Sequence, residues 1–105
     1  MLDKLKHLGL SENEAKTYMA MLELGPSVMV EIAKKAQINR PTAYVQIEAL
    51  KKKGLISTQI KGKKQFFIAE SPDKLELLIE GELKNVENKK NELNNFLPEL
   101  LNLFN

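Results

Sequence analysis

Along this chain the spacing of apolar positions changes several times, and each change marks an element. Leu2, Leu5 and Leu8 recur at helical spacing, a short amphipathic turn ahead of Gly9. Ser-Glu-Asn-Glu at 11–14 has the form of a capping box, with Ser11 as the cap and Glu14 three residues on. It predicts a firm helix whose buried stripe is Ala15, Tyr18, Met19 and Leu22 and which Gly25-Pro26 ends. A second, shorter helix is predicted over 28–36, capped by Ser27, with Ile32, Ala33 and Ala36 turned inward. Gln37-Ile38-Asn39 then makes a tight connection to a third helix over 39–53.

The third helix is entered through Asn39, Arg40 and Pro41, and its inner face is Ala43, Ile47 and Leu50. Thr42, Val45, Ala49 and Lys52 project to the opposite side, with Gln46 on the flank. A surface helix usually fills its outer face with long polar side chains; this one is slim over two turns and then cationic. Two segments of strand composition follow, 55–60 and 65–69, joined by Lys61-Gly62-Lys63-Lys64. Three lysines in a turn with no counter-charge suit a segment that reaches for an anion.

The last third reads differently. Ser71-Pro72-Asp73 is a helix start, with Pro72 suited to the first helical position. Ile79, Leu83, Val86, Lys90, Leu93, Leu97, Leu100 and Phe104 then step by four and three, a heptad seam with Lys90 as its one polar member. A helix from Ile79 to Phe104 would be about 38 Å long, so it needs a partner helix along most of its length. Leu75, Leu77 and Leu78 are expected to fold back onto the preceding domain. Pro98 is expected to kink or restart the helix near Asn95, leaving the tail as a separate apolar turn.

Composition narrows the functional classes. At 105 residues, 43% of them hydrophobic, the chain supports a single modest core with one appended element. There is no cysteine, and His7 is the only histidine, which removes disulfides, thiolate chemistry and histidine-cluster metal sites. No carboxylate pair sits in an apolar setting, no base accompanies a nucleophile such as Ser27 or Ser57, and no glycine loop cradles phosphate, so an enzyme is not expected. Nor is a cofactor or small-molecule ligand. The N-terminus lacks an apolar leader and no segment is long enough to span a membrane, which makes the cytoplasm the expected location.

Net charge is only +2, yet residues 1–71 carry 12 Lys and Arg against 7 Asp and Glu, whereas 72–105 carry 4 against 7. Between Asn39 and Lys64 seven cations face only Glu48. Such asymmetry points to a basic working surface. Arg40, the one arginine, stands at the start of the third helix as a candidate guanine or phosphate contact. Tyr18 reads as core, as do Met19, Met21 and Met29, while Tyr44 reads equally as packing or as a phosphate contact.

Together these pieces predict a mainly α protein with a small β-hairpin: a winged helix-turn-helix over 1–70, followed by a long C-terminal dimerisation helix over 71–105. The stretch from Leu8 to Ile56 also resembles the N-terminal DNA-binding domain of TrmB-type transcriptional regulators. The block Leu8-Gly9-Leu10-Ser11, with Glu14, Ala15 and Tyr18, carries most of the likeness. Glu31-Ile32-Ala33-Lys34-Lys35-Ala36 and the run from Thr42 to Ile56 support it. The resemblance implies double-stranded DNA as one partner and a second copy of the chain as another. It implies base or backbone contacts from Arg40, Thr42, Tyr44, Val45 and Gln46, and phosphate contacts from Lys61, Lys63 and Lys64. Asn39, Pro41 and Lys52 on the same helix complete the candidate DNA contacts. It does not imply sugar sensing, because no counterpart of the family's effector-sensing C-terminal domain is present in this sequence. The alternative is a winged-helix adaptor for other proteins that docks through its coiled-coil arm.

Overall fold

The capping box forms as its sequence requires. Ser11 Oγ accepts from the Glu14 amide at 3.1 Å, and Glu14 Oε1 accepts from the Ser11 amide at 2.8 Å. The computed structural model describes residues 1–105. Its elements are α1 (Leu2–His7), α2 (Glu12–Leu24), α3 (Met29–Ala36), α4 (Arg40–Lys52), β1 (Ile56–Lys61), β2 (Lys64–Ala69), a 3₁₀ turn (Pro72–Leu75) and α5 (Glu76–Phe104). This is a winged helix-turn-helix with a long C-terminal helix, the architecture predicted above.

Helix α2 is the scaffold, and α1, α3, α4 and β2 all pack against it. Being covered on several sides, it buries Glu14, Thr17, Ala20 and Met21 along with Ala15 and Tyr18. The buried face is thus turned by roughly a quarter turn from the predicted stripe. Leu22, expected inside, is 42% exposed, because a single-face reading cannot anticipate neighbours on two sides. In α4 the expected inner face holds: Ala43, Ile47 and Leu50 are all buried. They join Ile32, Leu55, Ile56 and Phe67 in one core.

Helix α3 starts differently from expectation. Val28 stands at its N-cap without a side-chain cap. Ser27 does not cap it; its hydroxyl donates to the Gly25 carbonyl at 2.9 Å. The Ser27 backbone instead pairs with β2, donating to the Phe67 carbonyl at 3.1 Å and accepting from the Phe67 amide at 2.8 Å. The hairpin is thereby tied to the helix-turn-helix from both edges of β2. Its tip is a two-residue turn, Gly62-Lys63, closed by the Lys61–Lys64 pair. Gly62 takes φ +63°, as the first position of a type II′ hairpin turn requires. At the α3–α4 turn, Gln37 is the only non-glycine residue with positive φ, 59°. A β-branched residue there would be strained.

Tyr18 sets the root of the C-terminal arm. Its hydroxyl donates to the Glu70 carbonyl at 3.0 Å, and the Glu70 amide donates to the Leu55 carbonyl at 2.8 Å. Burial, with the Glu70 carboxylate nearby, pushes the Tyr18 hydroxyl above its ordinary pKa, so it remains a donor. Beyond Glu70, α5 runs as one helix through Pro98, without the predicted restart or the separate tail turn. Proline withdraws one donor from a ladder that has intact turns on both sides. Leu75 and Leu78 pack against the core, whereas Leu77 remains 47% exposed. No residue of α5 is buried, and the molecule measures 65 × 27 × 26 Å.

Glu14 also joins the two ends of the head. Its Oε2 accepts from Lys53 Nζ at 2.6 Å, where Lys53 closes α4. Burial alone would raise the Glu14 pKa, but the Lys53 ammonium and the Ser11 donors outweigh it and hold the carboxyl below its ordinary value of 4.5. A lowered folded-state pKa means stability that is present above the unfolded value and lost as pH falls through the folded one. Glu14→Gln should therefore cost about 2 kcal/mol near neutral pH and flatten the acid limb of a stability-against-pH curve. Urea titrations of both proteins between pH 3 and 7 measure this; parallel curves would exclude it. The α4 cap gives a second test. Asn39 Oδ1 accepts from the Thr42 amide at 2.8 Å, so Asn39→Ala should cost about 1 kcal/mol while Asn39→Asp leaves stability nearly unchanged.

Candidate nucleic-acid interface

The chemistry of α4 follows from how it is seated. With Ala43, Ile47 and Leu50 buried, the opposite side stands in solvent, and Tyr44 is 48% and Val45 64% exposed. Asn39, Arg40, Pro41 and Lys52 are exposed too, while Thr42 and Gln46 are half-buried. The first turn of α4 contains no acidic residue, and proline stands among its first positions. The Asn39 side chain takes the Thr42 amide and Pro41 has none, so the positive dipole end of α4 carries no compensating carboxylate.

Arg40 lies over the Tyr44 ring, 6.0 Å from its centroid. The stacking settles the two readings of Tyr44 in part: its ring supports the guanidinium and does not pack into the core. Across from this pair stands the hairpin. Arg40, Tyr44, Lys64 and Gln65 line one shallow cleft with Val28, Val30 and Phe67 at its floor and rim. Gln65 and the start of α3 were absent from the sequence-based candidates. Phe67, buried beneath Gln65 on the same face of β2, is the signal that could have placed Gln65 there.

Asn39 has a job of its own as the α4 cap, so its side-chain oxygen is already engaged. Lys61, Lys63 and Lys64 are exposed at the tip of the hairpin. The structure thus brings Arg40 and Tyr44 together with Lys64 and leaves Lys61 and Lys63 beyond them. Lys52 stands at the far end of α4.

Electrostatic bookkeeping sharpens the contrast. The ion pairs of the chain are Lys6–Glu12, Lys35–Glu23 and Lys53–Glu14, at 3.8, 3.2 and 2.6 Å. Of the seven cations between Asn39 and Lys64, Lys53 is thereby neutralised. Arg40, Lys51, Lys52, Lys61, Lys63 and Lys64 pair with no carboxylate. A stable surface ordinarily intersperses the two signs. Six unpaired cations on one helix and its adjoining hairpin form a surface suited to a polyanion. No helix is long and apolar enough to cross a membrane.

Comparison with known proteins places this geometry. Among solved structures, TrmBL2, an archaeal chromatin protein noted for a novel mode of DNA binding, superposes with a TM-score of 0.85 at 28% identity. The alignment covers 98% of this chain and 40% of that one. The complex of Staphylococcus aureus MepR with DNA shares the fold, with a TM-score of 0.58 at 19% identity over 93% of this chain and 86% of the other. The uncharacterised protein YrhO of Bacillus subtilis (strain 168) is 40% identical over 50 residues, 48% of this chain and 18% of YrhO. The chain therefore spans less than half the length of TrmBL2 and about a fifth of YrhO. Residues 5–73 match the family described as sugar-specific transcriptional regulator TrmB. With its capping box, helix-turn-helix and wing inside a match that covers about two thirds of its length, the chain belongs to the TrmB family of transcriptional regulators.

Proposed function

We propose that the chain binds double-stranded DNA in a sequence-specific manner and acts as a dimeric transcriptional regulator. Residues 1–70 form the DNA-binding head and residues 71–105 the pairing arm. The observation that carries this reading is the set of six unpaired cations, three on α4 and three on the adjoining hairpin. A helix about 10–12 Å across fits the major groove of B-DNA, about 12 Å wide. With α4 in that groove, Tyr44, Val45, Thr42 and Gln46 approach base edges. Val45 offers a methyl-bearing surface suited to thymine. The hairpin follows the neighbouring backbone or minor groove through Lys61, Lys63 and Lys64.

The arm supports the second half of the proposal. Leu83, Val86, Leu93 and Leu100 are between 43% and 67% exposed on a helix with nothing across from it. With Ile79, Lys90, Leu97 and Phe104 they form the heptad seam, and a second copy of the same arm is self-complementary to it. Two heads so joined would read successive major grooves if their α4 helices sat about 34–36 Å apart. TrmBL2 and MepR are described with DNA, which favours a nucleic-acid partner over a protein one for the cationic face.

Affinity for random duplex should fall steeply with salt, by about 10³–10⁵ between 50 and 200 mM if the two copies neutralise about 6–10 phosphates. Anisotropy titrations across a salt series measure it, and a flat dependence would remove DNA as the partner. Replacing Lys61, Lys63 and Lys64 together by Ala should lower the slope by several units per dimer, at about 0.9 per lost phosphate contact. Arg40→Ala should cost about 1–3 kcal/mol on a selected operator and less on random sequence. Equal losses on both would make Arg40 a phosphate contact alone. In the arm, Leu93→Asp should halve the mass seen by light scattering.

A further inference from the structure

The heptad seam spans the whole arm, but its two halves differ in what flanks it. Over the distal half the flanks are Phe96, Leu101 and Leu103, and Glu99 is the only charged residue between Leu93 and Phe104. Phe96 is 43% and Leu101 51% exposed, so the apolar stripe widens well beyond the seam itself. Over the proximal half the flanks are Glu80, Glu82, Glu87 and Lys89. Lys90 stands in the seam at the boundary between the two.

The head adds an independent constraint. Leu75 and Leu78 lean on the core, and Glu82 Oε1 lies 3.8 Å from the point where a Cβ on Gly9 would stand. At about 100° per residue, these three project within roughly 60° of one another and of Leu93. The head of each copy therefore occupies the side of its own arm where a second arm would lie. Near the root a partner helix is displaced; beyond Lys90 the way is open.

We propose that, within the self-paired protein of the preceding section and resting on that reading, the two arms run parallel and close only along Leu93 to Phe104, forming a fork that opens at Lys90. Parallel pairing sets the wide apolar distal faces against each other. Antiparallel pairing would lay those faces over Glu80, Glu82, Glu87 and Lys89 of the second copy, burying charges against leucine and phenylalanine without counter-ions. In the parallel arrangement Glu82 meets Glu87 of the second copy on both flanks, and Lys90 meets Lys90. These like charges hold the proximal halves apart and leave the separation of the two heads adjustable.

The chain has no cysteine, so a single introduced thiol reports on its own surroundings. Leu100→Cys and Leu83→Cys, each purified as the full chain, are oxidised mildly and followed on non-reducing gels, with light scattering under reducing conditions alongside. A disulfide needs Cα atoms about 4.4–6.8 Å apart. Leu100→Cys should cross-link almost completely, Leu83→Cys at least tenfold more slowly. Leu93→Cys, at a second distal position, should repeat the result for Leu100→Cys. Adding Glu87→Lys to Leu83→Cys turns the flanking repulsion into attraction and should speed its cross-linking. Equal rates at positions 83 and 100 in a dimer would overturn the fork. Disulfides formed only when the two variants are mixed would show antiparallel arms and overturn the proposal. A monomer by scattering would instead overturn the self-pairing on which the fork rests.

Discussion

A single buried carboxylate fixes how the parts of the head meet. One oxygen of Glu14 closes the capping box that starts α2, and the other takes the ammonium of Lys53 at the end of α4. Two residues after Lys53 the chain enters the core at Leu55 and becomes the first strand of the wing. The angle of α4 on its scaffold and the departure of the wing are thus set at one place. Removing one partner from such a pair leaves the other desolvated and unsatisfied, which is why it constrains more than an exposed ion pair does.

The same contact shapes the outer surface by subtraction. Lys53 is turned inward and neutralised, so the charge offered by α4 comes from Arg40 at one end and Lys51 and Lys52 at the other. The wing extends that charge because it is held on two edges, by β1 and by the Ser27–Phe67 bridge. A free two-stranded hairpin is marginal in water. Anchored in this way, it keeps Lys64 in the cleft with Arg40 and Tyr44. The family and fold are those of regulators rather than enzymes, and the site has the matching character: exposed, cationic and shallow.

Much of this was legible in the sequence because it is local or periodic. The capping box declares itself in four residues, the inner face of α4 in three, and the arm in a heptad that persists for eight positions. Long-range pairs leave no such mark. Nothing near Ser27 announces Phe67, and nothing in the lysine run at 51–53 says that the last of the three will turn to a carboxylate 39 residues earlier. The α2 stripe was misread for a related reason: a helix with neighbours on several sides has no single polar face, so Leu22 could be outside and Thr17 inside. Pro98 overstated its local effect because the long ladder around it absorbs one missing bond. Asn39 carries a second role that its side-chain chemistry alone does not separate from a contact: it caps α4.

Glu70 is held through both its backbone groups, by Tyr18 and by Leu55, just ahead of the 3₁₀ turn that leads into a helix of 29 residues with no buried side chain. At 1.5 Å per residue that helix is a lever about 43 Å long on a fixed root. A tilt of about 10° at the root carries the far end through about 7 Å. Run in reverse, a displacement of that size at the tip reaches the root, where Tyr18 and Leu55 hold Glu70, scaled down and correspondingly more forceful.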